Sequence, residues 1–177
     1  MTAMNTPTDK LSTNFFAALS ARVSKLQTSQ ADVIRLDIGS PDLPPADHIV
    51  AALSQSALRP DSHGYQPHRG SDSLREAWAR LYRRLHHVTL DPETEVLPLL
   101  GSKEGVFHLS QAVLNPQDIV LYPDPGYQTY KQSALFAGAE PVAVPLLPEN
   151  QFLPDLLAIP TAVARRAKIL WLNYPNN

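Results

Sequence analysis

The 177-residue sequence contains no cysteine. Disulfides, thiolate metal sites and cysteine nucleophiles are therefore excluded within these residues. The apolar runs are all much shorter than the roughly 20 residues that a membrane-spanning helix needs. The first ten residues, MTAMNTPTDK, contain Asp9 and Lys10 and lack the apolar segment of a secretory signal. We therefore expect a cytoplasmic protein that does not bind a membrane.

Glycine is also scarce, with seven glycines against 17 prolines. The sequence contains no G-x-G-x-x-G, no P-loop and no nucleophile elbow, so nothing supports a dinucleotide fold or a serine hydrolase. The histidines lack a metal spacing such as H-E-x-x-H, and we expect no metal site. The formal net charge of −2 indicates no basic surface, so we expect no nucleic-acid partner.

What is present is a regular alternation of apolar segments with two different periods. The composition, 44% hydrophobic and 18% charged, is that of a globular protein. Short apolar strands that alternate with amphipathic helices predict a parallel sheet covered on both faces. Ser71 is the predicted N-cap of the clearest helix. The other predicted helices cover residues 15–26, 46–58, 102–114, 127–137 and 160–166, and the predicted strands are Val33–Ile38, Val96–Leu100, 119–122, 141–146 and 168–172.

Ligands of open α/β sheets bind outside the carboxyl ends of the strands, which directs attention to three loops. In the first, LLGSKEG, Ser102 and Lys103 begin a helix, whose free N–H groups form an anion site. The alternative is that Ser102 only caps the helix. In the second, YPDPGYQTY, Tyr127 could stack on a flat ligand ring, or it could be a core tyrosine at a helix start. The third loop is LNYPNN.

Five phrases taken together carry a family resemblance: LDIGSPDLPP, HGYQPHRGSDSLREAW, LLGSKEG, LYPDPGYQTY and LNYPNN. Their order and spacing resemble class I/II pyridoxal-phosphate aminotransferases of fold type I. The resemblance implies a three-layer α/β/α sandwich of the aspartate aminotransferase-like type, incomplete and with an N-terminal arm. Residues 1–45 would form the arm and part of a small domain, and residues 46–177 the first part of the large cofactor-binding domain. GSKEG favours the branch of LL-diaminopimelate and aspartate aminotransferases.

The resemblance also implies roles for individual residues toward pyridoxal 5'-phosphate. Ser102 and Lys103 match the pair that holds the cofactor phosphate. Tyr127 matches the aromatic residue over the pyridine ring, and Asn177 matches the asparagine that donates to the ring's phenolic oxygen. Tyr65 resembles the tyrosine that reaches the cofactor phosphate of the neighbouring subunit, which implies a homodimer.

On the substrate side, Gly39 resembles the glycine whose backbone approaches the substrate carboxylate, and Lys103 is a second candidate for substrate contact. The family continues LNYPNN as Asn-Pro-Thr-Gly and places its Schiff-base lysine later in the chain. The resemblance therefore predicts that the full-length protein transfers an amino group between an amino acid and a 2-oxo acid, and that this chain alone is inactive. Two alternatives stay open: a lyase or synthase on the same fold, and a truncated, non-catalytic binding or dimerisation module.

Overall fold

The computed structural model describes residues 15–29 and 32–177. These residues divide between two compact units, which we call the helical unit, Leu19–Pro98, and the sheet unit, Leu99–Asn177 together with residues 15–18. The boundary between residues 18 and 19 falls within helix α1, Phe15–Thr28. The domain boundary predicted after residue 45 stays a prediction, and each unit is described by itself.

The helical unit contains the helices that the 3.6-residue periodicity predicts. Helix α2 is Asp47–Ala57, a 3-10 turn follows at Pro60–Ser62, and helix α3 is Asp72–His86. Ser71 is the N-cap of α3, because its side chain accepts a hydrogen bond from the Leu74 N–H at 3.4 Å. His87 ends the helix in the left-handed conformation. The predicted cap of α3 is therefore confirmed.

A buried arginine on α3 holds together the segments on either side of this helix. Arg75 is only 2% exposed. Its guanidinium donates to the backbone oxygens of Gly70 and Pro92 at 2.9 Å, to the Asp72 carboxylate at 2.7 Å and to the Glu93 carboxylate at 2.8 Å. These carboxylates raise the pKa of Arg75, with Glu93 the main cause, so the arginine holds the two ends of residues 70–93 together as a permanent cation.

Two predicted strands in this part of the sequence are wrong. Val33–Ile38 and Val96–Leu100 join no sheet among the described residues. The side chains of Ile34 and Leu36 are 81% and 93% exposed. Alternating apolar residues predict an extended backbone, but a strand exists only where a neighbour completes its ladder of hydrogen bonds. Within the described residues these two segments have no such neighbour.

Within Leu99–Asn177, the sheet unit begins with helix α4, Ser102–Val113, and then alternates strands with helices. In chain order the elements are β1, Ile119–Asp124; α5, Gln128–Phe136; β2, Glu140–Pro145; α6, Thr161–Arg166; and β3, Ala167–Leu170. The three strands are parallel and lie in the order β2-β1-β3, with Ile119 opposite Glu140 and Leu121 opposite Leu170. The predicted strands of this half are confirmed.

The central strand β1 packs its two faces against different helices. Val120, fully buried, belongs to a cluster with Ala134 of α5. Ile119 and Leu121 point to the opposite face and belong to a cluster that includes Val163 of α6. A strand buried on both faces has a continuous apolar sequence, which explains the uninterrupted IVL run. The predicted three-layer arrangement of helix, sheet and helix is therefore confirmed.

Candidate functional site

The candidate site lies at the carboxyl ends of β1 and β3, which are neighbours in the sheet unit. The loop after β1 carries Pro125, and the segment after β3 carries Asn176. The Asn176 Nδ2 amide donates to the Pro125 backbone oxygen at 2.9 Å, so the two loops touch. Ligands of open α/β sheets bind at this edge.

The start of α4 presents a hydroxyl that the helix itself does not use. Gly101 is the N-cap with φ +93°, a conformation that favours glycine. The Glu104 carboxylate accepts the Leu100 N–H at 2.6 Å, so a carboxylate one turn into the helix secures its start. Among the described residues, the Ser102 side chain makes no capping hydrogen bond. The alternative that Ser102 serves only as a cap therefore has no support in the geometry.

Lys103 and Tyr127 meet next to this helix start. The Lys103 ammonium lies over the Tyr127 ring, 5.6 Å from its centroid. This distance is within the range of cation–π attraction. Tyr127 is the half-buried N-cap residue of α5. Of the residues that the sequence predicts for the site, the structure brings the side chains of Lys103 and Tyr127 together, and Ser102 precedes Lys103 as the first residue of α4.

Two aromatic residues behind Tyr127 were not among the sequence-based candidates. The Tyr127 ring meets the Tyr130 ring edge-on at 5.6 Å, and Tyr130 stacks on Trp171 at 5.2 Å with an angle of 17° between the rings. Burial raises the pKa of Tyr130, and Tyr127 raises it further. The signal available in the sequence was the spacing of Tyr127 and Tyr130, which places them on one face of α5.

Asn177 lies at the end of the segment that follows β3. Its backbone N–H donates to the Asn173 side-chain oxygen at 3.0 Å, which closes a turn over residues 173–177. Its neighbour Asn176 makes the contact to Pro125 described above. Asn177 is thereby held in the segment that touches the Tyr127 loop, and its predicted contact with a cofactor ring stays a prediction.

Gly39 and Tyr65 belong to the helical unit, so their predicted roles also stay predictions. Tyr65 is fully exposed. A Cβ built on Gly39 would meet no described atom within 4 Å. The surroundings of Gly39 in the described chain therefore impose no steric requirement for glycine there.

The described residues contain neither a candidate metal cluster nor a membrane-spanning helix. Residues 15–29 and 32–177 contain no cluster of three or more histidine and carboxylate side chains that could hold a metal ion. In the same ranges, no helix has both the length and the apolar character to cross a membrane.

A hydroxyl, a cation and an aromatic ring at the strand ends of an α/β protein are suited to a flat, anionic ligand. Comparison with known proteins gives the family. The family model for class I and II aminotransferases matches residues 31–177, which is most of the chain. The chain belongs to this family.

Individual relatives agree with this assignment. LL-diaminopimelate aminotransferase of Aquifex aeolicus is 48% identical over 162 residues, covering 92% of this chain and 42% of the relative. Transaminase BacF of Bacillus subtilis is 44% identical over 175 residues, covering 97% and 44%. The chain thus spans about two fifths of the length of these relatives.

Solved structures of two aminotransferases have the same fold over the matched residues. The structure of apo-BacF superposes with a TM-score of 0.89 at 44% identity, covering 97% of this chain and 44% of that one. A single mutant of Thermus thermophilus aspartate aminotransferase also gives 0.89, at 32% identity, covering 100% of this chain and 46% of that one.

Enzymes of this family depend on pyridoxal 5'-phosphate. This cofactor combines a phosphate with an aromatic ring, and the residues at the site suit both parts. The Ser102 hydroxyl and the N–H groups of the first turn of α4 can donate to phosphate oxygens, and the Lys103 ammonium can neutralise their charge. The Tyr127 ring offers an aromatic surface beside them.

Proposed function

We propose that the full-length protein is a pyridoxal-phosphate-dependent aminotransferase that moves an amino group between an amino acid and a 2-oxo acid. The observation that carries this proposal is the contact of the Lys103 ammonium at the start of α4 with the Tyr127 ring after β1, in a chain whose residues 31–177 match the family. We further propose that the protein works in amino-acid metabolism in the cytoplasm.

Four residues of the sheet unit have separate roles in this proposal. Ser102 and the start of α4 bind the cofactor phosphate, and Lys103 adds a positive charge that attracts phosphate or a substrate carboxylate. Tyr127 packs against the pyridine ring and keeps water from it. Asn177 donates its amide N–H to the phenolic oxygen. When bound, the cofactor supplies an electron sink for breaking a bond at the substrate α-carbon.

Two residues of the helical unit, Gly39 and Tyr65, also have roles in this proposal. The Gly39 backbone N–H approaches the substrate carboxylate, which a side chain at this position would obstruct. Tyr65, fully exposed in this chain, reaches the cofactor phosphate of a second copy. In a two-fold homodimer such sharing is reciprocal, so one interface completes two sites.

An activity assay on two polypeptides tests the proposal. One ends at Asn177, and the other continues through a complete aminotransferase sequence. Both are incubated with pyridoxal phosphate, 2-oxoglutarate and a panel of amino donors that includes LL-diaminopimelate and aspartate. We expect turnover by the longer polypeptide only, because transamination needs a lysine that forms a covalent bond with the cofactor and then moves a proton.

The lysines of the shorter polypeptide explain this expectation. The described part of the chain has four lysines: Lys25 lies on α1, Lys131 lies on α5, Lys168 lies within β3, and the Lys103 ammonium lies over the Tyr127 ring. Turnover by the polypeptide that ends at Asn177, abolished by Lys103→Ala, would contradict this assignment. A longer polypeptide that binds pyridoxal phosphate but transfers no amino group would indicate a different reaction or a binding module.

Complementation between inactive variants tests the proposed dimer. Full-length Tyr65→Phe protein is mixed with a variant that lacks the cofactor-binding lysine. Because Tyr65 is proposed to act in the partner's site, mixed dimers should contain one site with both defects and one with neither. Recovery of activity on mixing supports the sharing of Tyr65, and a fully active monomer would rule it out.

A further inference from the structure

One side-chain hydrogen bond connects the loop after β1 to the segment after β3, beyond the last backbone hydrogen bond between these two strands. The last backbone bond between β1 and β3 runs from the Trp171 N–H to the Leu121 oxygen at 3.0 Å. Beyond it, β1 continues to Asp124 paired only with β2. The Asn176 Nδ2 amide then donates to the Pro125 oxygen at 2.9 Å and rejoins the loops.

The two residues that form this bond lie close in the chain to two proposed cofactor-contacting residues. Pro125 lies two residues before Tyr127, and Asn176 lies directly before Asn177. One hydrogen bond therefore connects the short segment that carries the proposed ring-facing tyrosine to the one that carries the proposed phenolic-oxygen donor. On the Asn177 side, the hydrogen bond from the Asn177 N–H to the Asn173 side chain also closes a turn, which restricts the backbone between Asn173 and Asn177.

The stacked pair of Tyr130 and Trp171 supports the same loops from the core side. Trp171 is the first residue after β3, and Tyr130 lies in the first turn of α5, edge-on to Tyr127. The Ser133 hydroxyl donates to the Tyr130 backbone oxygen at 3.1 Å within the buried part of α5. The aromatic stack therefore packs the two loops together on the core side, and the Asn176 bond joins them on the exposed side.

We propose that Asn176 is a positioning residue that sets the placement of Asn177 relative to Tyr127, and so tunes the ionisation of the cofactor's phenolic oxygen. This inference rests on the proposed function. A hydrogen-bond donor at an oxygen favours its ionised form and lowers its pKa. If the Asn176 bond is lost, Asn177 moves away from the phenolic oxygen, and the pKa of the bound cofactor rises.

The test compares variants of the full-length protein at position 176. Asn176→Asp keeps the size of the side chain and removes the donor, Asn176→Ala removes both, and Asn176→Gln keeps an amide on a longer side chain. The matched control is Asn150→Ala, on an exposed turn after β2. For each variant, affinity for pyridoxal phosphate and the pH midpoint of the visible absorption of the bound cofactor are measured, along with the thermal midpoint of the cofactor-free protein.

For Asn176→Asp and Asn176→Ala we expect about three- to tenfold weaker cofactor binding, the size of one hydrogen bond. The absorption midpoint should rise, with Asn176→Gln between these variants and the wild type, and Asn150→Ala should match the wild type. If Asn176→Asp does not fold, the inference is tested by the absorption midpoints of the other two variants, which should rise from the wild type through Asn176→Gln to Asn176→Ala. A purely structural role would lower the thermal midpoint and leave the absorption midpoint in place.

Two results would contradict the inference in distinguishable ways. If the wild type binds the cofactor and the absorption midpoint is the same in all variants, Asn176 has no positioning role and the proposed function stands. If the wild type binds no pyridoxal phosphate, the proposed function fails and this inference fails with it.

Discussion

Lys103 and Tyr127 come from the starts of two different helices, yet the Lys103 ammonium lies 5.6 Å from the centroid of the Tyr127 ring. The contact joins the first turn of α4 to the loop after β1. Because it places a cation next to an aromatic surface, one small area can attract both the charge and the ring of a phosphorylated aromatic ligand.

Two serines at helix starts should respond in opposite ways to removal of their hydroxyls. Ser71 caps α3, whereas the Ser102 hydroxyl makes no capping bond among the described residues. Ser71→Ala should lower stability by about 1 kcal/mol and leave cofactor affinity unchanged. Ser102→Ala should leave stability within about 0.5 kcal/mol and weaken pyridoxal phosphate binding about tenfold, as expected for loss of one hydrogen bond to a charged group.

Urea unfolding and cofactor titration on the same preparations measure both quantities. Equal cofactor affinity in the wild type and in Ser102→Ala would remove Ser102 from the phosphate site.

Removing the charge of Lys103 should weaken anion binding. Lys103→Gln should reduce affinity for pyridoxal phosphate about tenfold or more, because charge-assisted hydrogen bonds contribute about 1.5–3 kcal/mol. The affinity of the variant should also depend less on salt, since one screened attraction is gone. Lys131→Gln, which changes an exposed lysine on α5, is the matched control. Equal losses in the two variants would mean that overall charge, and not the position of Lys103, attracts the cofactor.

The turn before Tyr127 should not tolerate a side chain at Gly126. A Cβ at this position would fall inside contact distance of the Pro123 backbone oxygen, so the turn would have to shift. Gly126→Ala should cost about 1–3 kcal/mol of stability, as overpacking does, and should weaken cofactor binding by displacing Tyr127.

The matched control for this prediction is Gly64→Ala, because an added Cβ there meets no described atom within 4 Å. It should stay within about 0.5 kcal/mol of the wild type. Thermal melts and cofactor titration compare the two variants. Wild-type behaviour of Gly126→Ala would show that the turn does not place Tyr127.

Two arginines of α3 should differ strongly in their effect on stability. Arg75 is buried and donates to four partners, whereas Arg80 forms an exposed pair with Glu76 at 3.4 Å. Arg75→Met should lower the urea midpoint and increase hydrogen exchange in residues 91–95, because this loop loses its anchor. Arg80→Met should leave both nearly unchanged, since exposed pairs contribute little. Similar behaviour of the two variants would contradict the anchoring role of Arg75.

The burial of Tyr130 predicts a loss of stability at alkaline pH. Burial, with a contribution from Tyr127, raises the pKa of Tyr130 above its ordinary value of about 10. The folded state therefore prefers the neutral phenol. The resulting stability is complete below the unfolded pKa and is lost as pH rises through the folded pKa.

Tyrosinate absorbance and urea unfolding between about pH 8 and 11.5 measure this effect, with the chain unfolded in urea as the reference for the ordinary pKa of about 10. Tyr130→Phe should reduce the alkaline loss of stability. An unchanged pH dependence in Tyr130→Phe would place the cause elsewhere.

Local pattern was enough to predict much of the chain. The helical periodicity of α3 and its cap Ser71 were visible because both depend on residues within one or two turns. The continuous apolar run of β1 predicted a strand buried on both faces, since only such a strand needs no polar side. The family resemblance assigned Lys103 and Tyr127 to one cofactor site, and their side chains do lie together although the two residues are 24 positions apart in the sequence. The roles of Ser102, Lys103 and Tyr127 toward the cofactor stay predictions.

The sequence by itself therefore determined the periodicity of each helix and strand, the capping and turn residues between them, and the motifs of the family. Only the tertiary structure decided the partners: Val33–Ile38 forms no strand, Arg75 is buried with its carboxylates, and Asn176 bonds to Pro125, 51 residues away in the chain. The physical reason is that periodicity records which way each side chain points along its own element. Pairing across a sheet and contacts between loops depend on how distant segments are brought together, and no local pattern contains that information.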